Sequence, residues 1–349
     1  MMNKKLQVWL PLLFAAVMVL GMYFGYQLGG GNGKFFSSEK RNSLQEALDF
    51  IKLKYVDPVN VDSLETSAIE QMMSKLDPHS VYFPPVELKE ANEDLEGKFE
   101  GGIGVEFNIF NDTVNIVFVM PGGPSDKAGI EVGDKILDVN GVSLVGDSLT
   151  SETIKNTVRG DRNSKADIRL LRGAKEMKLV VARGTIPVLS IDASFMMDQS
   201  TGYIKLNKFT ESSYEEFMAA LESLQKLGLK QLILDVRSNG GGYMDEAVDI
   251  ADEFLDGDKL VVYTEGAHMK KREYKCKRDG LFEKGKLAVL VDENSASASE
   301  VLVGALQDWD RAMIIGRRTF GKGLVLQQYP LGDGSALRLT IARYYSPSG

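Results

Sequence analysis

The chain has 349 residues, 44% of them hydrophobic and 26% charged, which is ordinary for a globular protein and allows two or three domains. Its net charge of −8 argues against a nucleic-acid partner, because general nucleic-acid binders usually carry a basic surface. The single cysteine, Cys276, excludes an intrachain disulfide.

Lys4 and Lys5 precede an uncharged run whose apolar part is Leu6 to Leu28. As a helix this run is about 34 Å long, enough for a hydrocarbon core of about 30 Å. Positive charge ahead of it places the N-terminus in the cytoplasm and the remainder outside. Residues 1–33 are therefore expected to be a single-pass anchor in the cell membrane and the start of a linker. The rest of the chain would lie on the extracytoplasmic (periplasmic) side. A cleaved signal peptide is the competing explanation; the length of the run and the lack of a clean A-x-A site speak against it. Gly29 to Ser38 reads as a flexible linker.

Residues 34–98 comprise linker and a helical N-terminal region. Leu44, Leu48, Ile51 and Leu53 form a helical stripe, and Ile69, Met72, Met73 and Leu76 form another. Asp77-Pro78-His79-Ser80 is a turn, where His79 reads as structural.

Residues 99–185 change character. Glycines in Gly101 to Phe107 lead into alternating apolar residues, and strands are expected over Val114–Val119, Asp134–Val139, Ile168–Leu171 and Met177–Val181. Asn140-Gly141 is a hairpin turn, and short helices are expected over Ser125–Gly129 and Ser151–Val158. Together these describe a small, partly open β-barrel.

Residues 186–349 alternate strands with helices. Strands are expected at Gly202–Leu206, Gln231–Val236, Leu287–Val291, Met313–Ile315 and Leu337–Ile341. Helices are expected at Ser213–Lys226, Asp245–Phe254 and Glu300–Leu306. This pattern indicates an α/β layer structure.

Three places carry candidate chemistry. Ser297, in SASASE, stands at the head of a helix, where N–H groups and the helix dipole favour a developing negative charge. Ser297-x-x-Glu300 is also a capping-box pattern, so a helix cap is the competing explanation. Lys322, in TFGKG, lies between glycines near Phe320, Leu324 and Val325. To act as a base it must be neutral, which needs a pKa fall of about three units or roughly 4 kcal/mol, within the reach of burial. An exposed turn lysine is its plain alternative. Asp235 to Gly242 (DVRSNGGG) follows a strand and precedes a helix, and its glycine turn can present N–H groups to an anion. It fits neither dinucleotide nor phosphate-loop patterns.

Taken together, these stretches resemble the C-terminal-processing (tail-specific) serine proteases. The matching segments are YVDPV, LDPHSVYF, the β-barrel region, LDVRSNGGG, SASASE, GALQDWDRA, GRRTFGKG and DGSALRLTIARYYSPSG. Residues 99–185 resemble a PDZ domain, with GGIGVEF, PGGPSDKAG and VGDKILDVNG as the matching parts. The resemblance implies an α+β, multidomain chain with a PDZ β-barrel inserted ahead of an α/β protease core of the ClpP/crotonase type. It implies Ser297 as nucleophile, Lys322 as general base, and an oxyanion hole from Ala298 with Gly241 or Gly242. Gly101, Gly102, Ile103, Gly104 and Val105 would bind the C-termini of protein or peptide substrates by strand addition. No metal or organic cofactor is implied.

The sequence departs from the family in two places. The family commonly has a glutamine four residues after the lysine, where this chain has Leu326; a β-bulge would be needed to bring Gln327 into that role. The family also usually continues beyond the position of Gly349, which implies a further strand or helical region. A PDZ adaptor on an inert core is the alternative function, and an acyl-CoA enzyme a more distant one.

Overall fold

The computed structural model describes residues 4–28, 42–147 and 149–349. The expected linker over Gly29–Ser38 lies outside the described residues. The chain forms two compact units, one up to Ala68 and one from Ile69 onward.

In the first unit α1 (Lys4–Leu28) runs 25 residues. Its described apolar side chains, Trp9, Leu12, Phe14 and Met18 among them, are exposed. Among the described residues no helix is long and apolar enough to cross a membrane. The helix α2 (Ser43–Lys54) is capped by Asn42, whose side chain accepts from the Leu44 N–H at 3.3 Å. A third helix, α3 (Val61–Met73), follows and continues into the second unit.

The second unit opens with β1 (Val81–Phe83), α4 (Pro85–Glu96) and β2 (Lys98–Gly102). Asp77 organises the turn before β1. It accepts from the His79 and Ser80 N–H groups at 2.8 and 2.9 Å and from the Ser80 hydroxyl at 2.7 Å. His79 contributes its backbone here, as expected of a structural turn residue.

Next come β3 (Val105–Phe110), β4 (Thr113–Val119), α5 (Pro124–Ala128), β5 (Lys135–Val139), β6 (Val142–Ser143), α6 (Ser151–Val158), β7 (Lys165–Arg172) and β8 (Lys175–Ala182). Their sheet has the order β3-β4-β5-β7-β8, with β6 paired to β5. Val114, Ile116, Ile136, Ile154, Ile168 and Leu170 fill a core separate from that of the rest of the chain. Strand β9 (Gly184–Pro187) pairs antiparallel with β2 in a separate two-stranded sheet.

The remaining residues form two sheets. Strands β10 (Ile191–Met196), β11 (Thr201–Leu206) and β12 (Gln231–Asp235) alternate with the helix α7 (Ser213–Lys226), and α8 (Met244–Asp252) follows. Then come β13 (Leu260–Gly266), β14 (Met269–Lys275), β15 (Lys286–Val291), α9 (Ala298–Asp308), β16 (Met313–Gly316), β17 (Leu324–Pro330) and β18 (Ala336–Tyr345). The first sheet is β10-β11-β12-β15-β16, parallel except for β10. Its strands read as near-continuous apolar runs because helices cover them, with Ile204, Leu234 and Val289 packed against Phe217, Ile250 and Leu302.

The second sheet is antiparallel, β1-β18-β13-β14 with β17 also on β18. Here the expected alternation is corrected. The segment Leu337–Ile341, read as one more strand of the α/β layer, belongs to β18, the long strand on which the second sheet is built. Its antiparallel partners come from loops of the first layer and from the LDPHSVYF segment, which the sequence placed in a largely helical region.

Candidate active site

Strands β12 and β15 are parallel neighbours, so the loops leaving their C-terminal ends lie side by side. One loop is Val236 to Tyr243 and the other is Asp292 to Ser297. In open α/β sheets this edge is where ligands bind.

The three serines of SASASE divide their work. Ser295 Oγ donates to Val236 O at 2.8 Å, and Ser299 Oγ donates to Asn239 O at 2.9 Å. Both serines are fully buried. They fasten the loop and helix α9 to the neighbouring glycine turn. Ser297, between them, is only half-buried and borders the cavity described below. Its backbone is at φ 57°, ψ −114°, a region costly for any residue but glycine. An ordinary N-cap residue sits in the extended region. Ser297 does occupy the cap position, and the Glu300 carboxylate accepts its N–H at 2.9 Å. Capping alone does not call for the strained turn.

Asn239 holds the opposite loop. Fully buried, it donates from Nδ2 to Leu206 O at 2.9 Å and accepts the Gly241 N–H at 2.9 Å. Gly241 has φ 99°, and a Cβ there would lie 2.8 Å from Ser297 Cβ and 2.9 Å from Ala298 N. Only glycine lets this turn close against the serine. Because the Gly241 N–H is taken by Asn239, the backbone donors of the glycine turn and the helix start that have no partner among the described residues are those of Gly240, Gly242 and Ala298. Asp235, at the loop's root, is structural. Burial raises its pKa, but bonds from Arg237 and Tyr203 and the nearby Lys205 charge outweigh this and hold it at about 2.

Two side chains bring Lys322 to Ser297. Oε2 of Glu300 accepts the Lys322 N–H at 2.8 Å as well as that of Ser297, while Oε1 accepts from Thr319 Oγ1 at 2.8 Å and from the Gly321 N–H at 2.6 Å. The Tyr344 hydroxyl bridges Ser297 O, at 3.1 Å, and Lys322 O. Sequence reasoning assigned Glu300 only to capping and gave Tyr344 no role. Burial pushes the Tyr344 phenol well above its usual pKa, so it stays a donor.

A cavity of about 770 Å³ is lined by Ser297, Ala298, Gly241, Gly242, Lys322, Leu326, Gln327, Gln328, Arg338 and Tyr344, among others. The Lys322 side chain is half-buried, and among the described residues its Nζ has no hydrogen-bond or ion-pair partner. Burial, followed by the Arg338 charge, lowers its pKa below the usual lysine value. Both effects favour the neutral amine.

Leu326 and Gln327 resolve differently from the expected bulge. A register shift does fall between Val325 and Leu326. It pairs Val325 with Ala342 and Leu326 with Thr340, so the extra residue, Ile341, is on β18. Gln327 is exposed, lies on the Lys322 cavity and also borders a second one with Leu339 and Ile341, and makes no hydrogen bond to Lys322. Leu326 lines the Lys322 cavity at the position the family gives to glutamine.

In the β-barrel domain β3 is an edge strand, free on one side for an added strand. The loop before it is covered. Gly101 to Gly104 are buried, and a Cβ at Gly101 would lie 1.6 Å from Gly160 O. The five expected peptide-binding residues therefore divide: Val105 begins the open edge, whereas Gly101 to Gly104 are packed inside.

Residues 200–349 match the model of peptidase family S41, and residues 116–183 match a PDZ domain. The chain is 35% identical over 341 residues to a probable CtpA-like serine protease of Staphylococcus aureus, covering 97% of this chain and 67% of the relative. The chain belongs to the C-terminal-processing serine protease family. A second family member, the carboxy-terminal processing protease CtpB of Bacillus subtilis, is 33% identical over 315 residues, with 88% of this chain and 64% of that protein covered. Among solved structures the fold is similar to a photosystem II D1 C-terminal processing protease, with a TM-score of 0.51 and 29% identity over 88% of this chain and 82% of that one. The chain spans about two thirds of the length of the curated relatives it matches.

Proposed function

We propose that this family member is a membrane-anchored, extracytoplasmic serine endopeptidase that engages the C-terminal tails of protein substrates. The observation that carries the reading is the joining of Ser297 and Lys322. A strained, half-buried serine and a half-buried lysine whose Nζ has no partner among the described residues share one cavity, and their backbones are tied together by Glu300 and Tyr344.

In the proposed reaction neutral Lys322 takes the Ser297 hydroxyl proton as Oγ attacks the scissile carbonyl carbon. The resulting oxyanion is received by the N–H groups of Ala298 and the Gly241/Gly242 turn, with Gly242 the better-placed donor because Asn239 occupies Gly241. One such donor contributes about 10²–10³ in rate. Collapse breaks the C–N bond, and Lys322 returns the proton to the leaving amine. Water, deprotonated by Lys322, then resolves the acyl-enzyme and releases a carboxylate.

Substrate tails would add to the free edge of β3 from Val105 onward, supported by the edge position of that strand. Rearrangement of Gly101 to Gly104 would be needed for them to hold a terminal carboxylate. The positively flanked apolar run Leu6–Leu28 supports the membrane anchor, with the catalytic region on the periplasmic side.

A second reading, a weak or inactive PDZ adaptor, is favoured by Leu326 and by the lack, among the described residues, of a hydrogen-bond partner for Lys322 Nζ. Incubating the full chain in detergent with an unstructured polypeptide separates the two. Fragments identified by mass spectrometry support the peptidase. Peptide binding without fragments supports the adaptor and refutes the peptidase.

A further inference from the structure

Arg338 sits on β18 directly across from Gln328 of β17 and from Val81 of β1, two register positions from Phe83. Its guanidinium lies 4.5 Å from the Phe83 ring centroid and donates from Nη2 to Gln328 Oε1 at 3.3 Å. Gln328 in turn donates to Asn92 Oδ1 at 3.3 Å. The stacked ring and the amide chain hold the planar fork in one orientation. Among the described residues one of its five N–H donors is engaged by a side chain.

The fork faces the cavity that contains Ser297 and Lys322. Among the described residues Arg338 has no ion pair. The cavity's one lining carboxylate, Asp94, is already paired with Lys208. In a chain of net charge −8, this cleft thus holds a half-buried, fixed and uncompensated guanidinium. Such a fork matches a carboxylate, which it binds in two parallel charge-assisted bonds.

We propose that Arg338 is a specificity-determining residue that receives a substrate carboxylate in the cleft beside Ser297. The proposal rests on the peptidase reading of this cleft. The carboxylate comes either from a Glu or Asp side chain near the scissile bond or from the substrate's free C-terminus.

The test uses the full chain and a matched set of fluorogenic peptides. One arm exchanges Glu for Gln at each position flanking the scissile bond, and the other exchanges a free for an amidated C-terminus. The reading is the ratio of kcat/KM, acid over amide, taken within each protein so that changes in absolute rate cancel. Wild type is expected to show a ratio of about 10 to 100 in one arm, the size of a charge-assisted bond. In Arg338→Met that ratio falls to within about twofold of one, and Arg338→Lys retains part of it. A wild-type ratio near one in both arms overturns the proposal. So does a ratio unchanged in Arg338→Met, which would assign the preference to the PDZ domain. If Arg338→Met does not fold, an undiminished ratio in Arg338→Lys overturns it equally. Failure of wild type to cleave any peptide, neutral ones included, defeats the underlying peptidase reading; cleavage of neutral and acidic peptides at equal rates defeats this inference alone.

Discussion

Replacement of Glu300 tests how the two halves of the site are joined. Its carboxylate accepts four bonds, one from Ser297 N (through Oε2) and three from the lysine turn (Lys322 N through Oε2, Thr319 Oγ1 and Gly321 N through Oε1). The bonds to Gly321 and Lys322 hold the lysine turn onto helix α9. At about 1.5–3 kcal/mol for a bond to a charged acceptor, losing both weakens the closed turn by roughly 3–6 kcal/mol, less what the exposed Gly321 N–H regains from water. Misplacing a reacting group by about 1 Å costs about 10²-fold. Glu300→Ala is therefore expected to lower kcat by about two orders of magnitude. Glu300→Gln keeps one oxygen acceptor and turns an NH₂ toward the other pair of donors, so its loss is nearer tenfold. The assay is kcat on an unstructured polypeptide, with Tm measured alongside. Wild-type kcat, to within threefold, in Glu300→Ala would refute the reasoning.

Three further outcomes follow from the same geometry. Tyr344→Phe removes the donor shared by Ser297 O and Lys322 O; it is expected to cost about 1–3 kcal/mol in stability and to lower kcat about tenfold, and an unchanged kcat contradicts the bridge. Leu326→Gln places an acceptor on the Lys322 cavity and is expected to raise kcat about three- to tenfold, a gain that must vanish in the Lys322→Ala background. Lys322 has a depressed folded-state pKa, so the unfolded chain binds its proton more readily, and folding carries a penalty that is relieved as pH rises from the folded value toward 10.5. Lys322→Met is expected to raise Tm at pH 7, with the gain shrinking as pH approaches 10; a gain that grows with pH contradicts the burial of the charged lysine.

Much of the first sheet was legible because its strands and helices carry local signals. The helix Ser213–Lys226 and the buried strand ending at Asp235 follow directly from apolar periodicity and length. The second sheet was not. Strand β14 reads MKKREYK and lies largely exposed at the sheet edge, so it has no apolar alternation to find. Strand β1 has three residues and exists because β18 pairs with it, across more than 250 residues of chain.

The site divides along the same line. Ser297 and Lys322 stood out by their turns, yet the S-x-x-E pattern was read as evidence for a plain cap. The cap is real, and the same carboxylate also grips the lysine turn, a long-range bond that no local pattern encodes. Which of three serines faces the cleft was likewise a tertiary fact, decided by Val236 and Asn239 accepting from the other two. The bulge near Gln327 was anticipated, but its extra residue fell on the partner strand, where sequence offers no signal.

Labelling of the full chain with a fluorophosphonate, located by peptide mass mapping, tests the central claim that Ser297 is a nucleophile activated by Lys322. One adduct is expected, on Ser297, lost in Ser297→Ala and slowed at least about 10²-fold in Lys322→Ala. Labelling elsewhere, or labelling of Ser297 at an undiminished rate in Lys322→Ala, would contradict it.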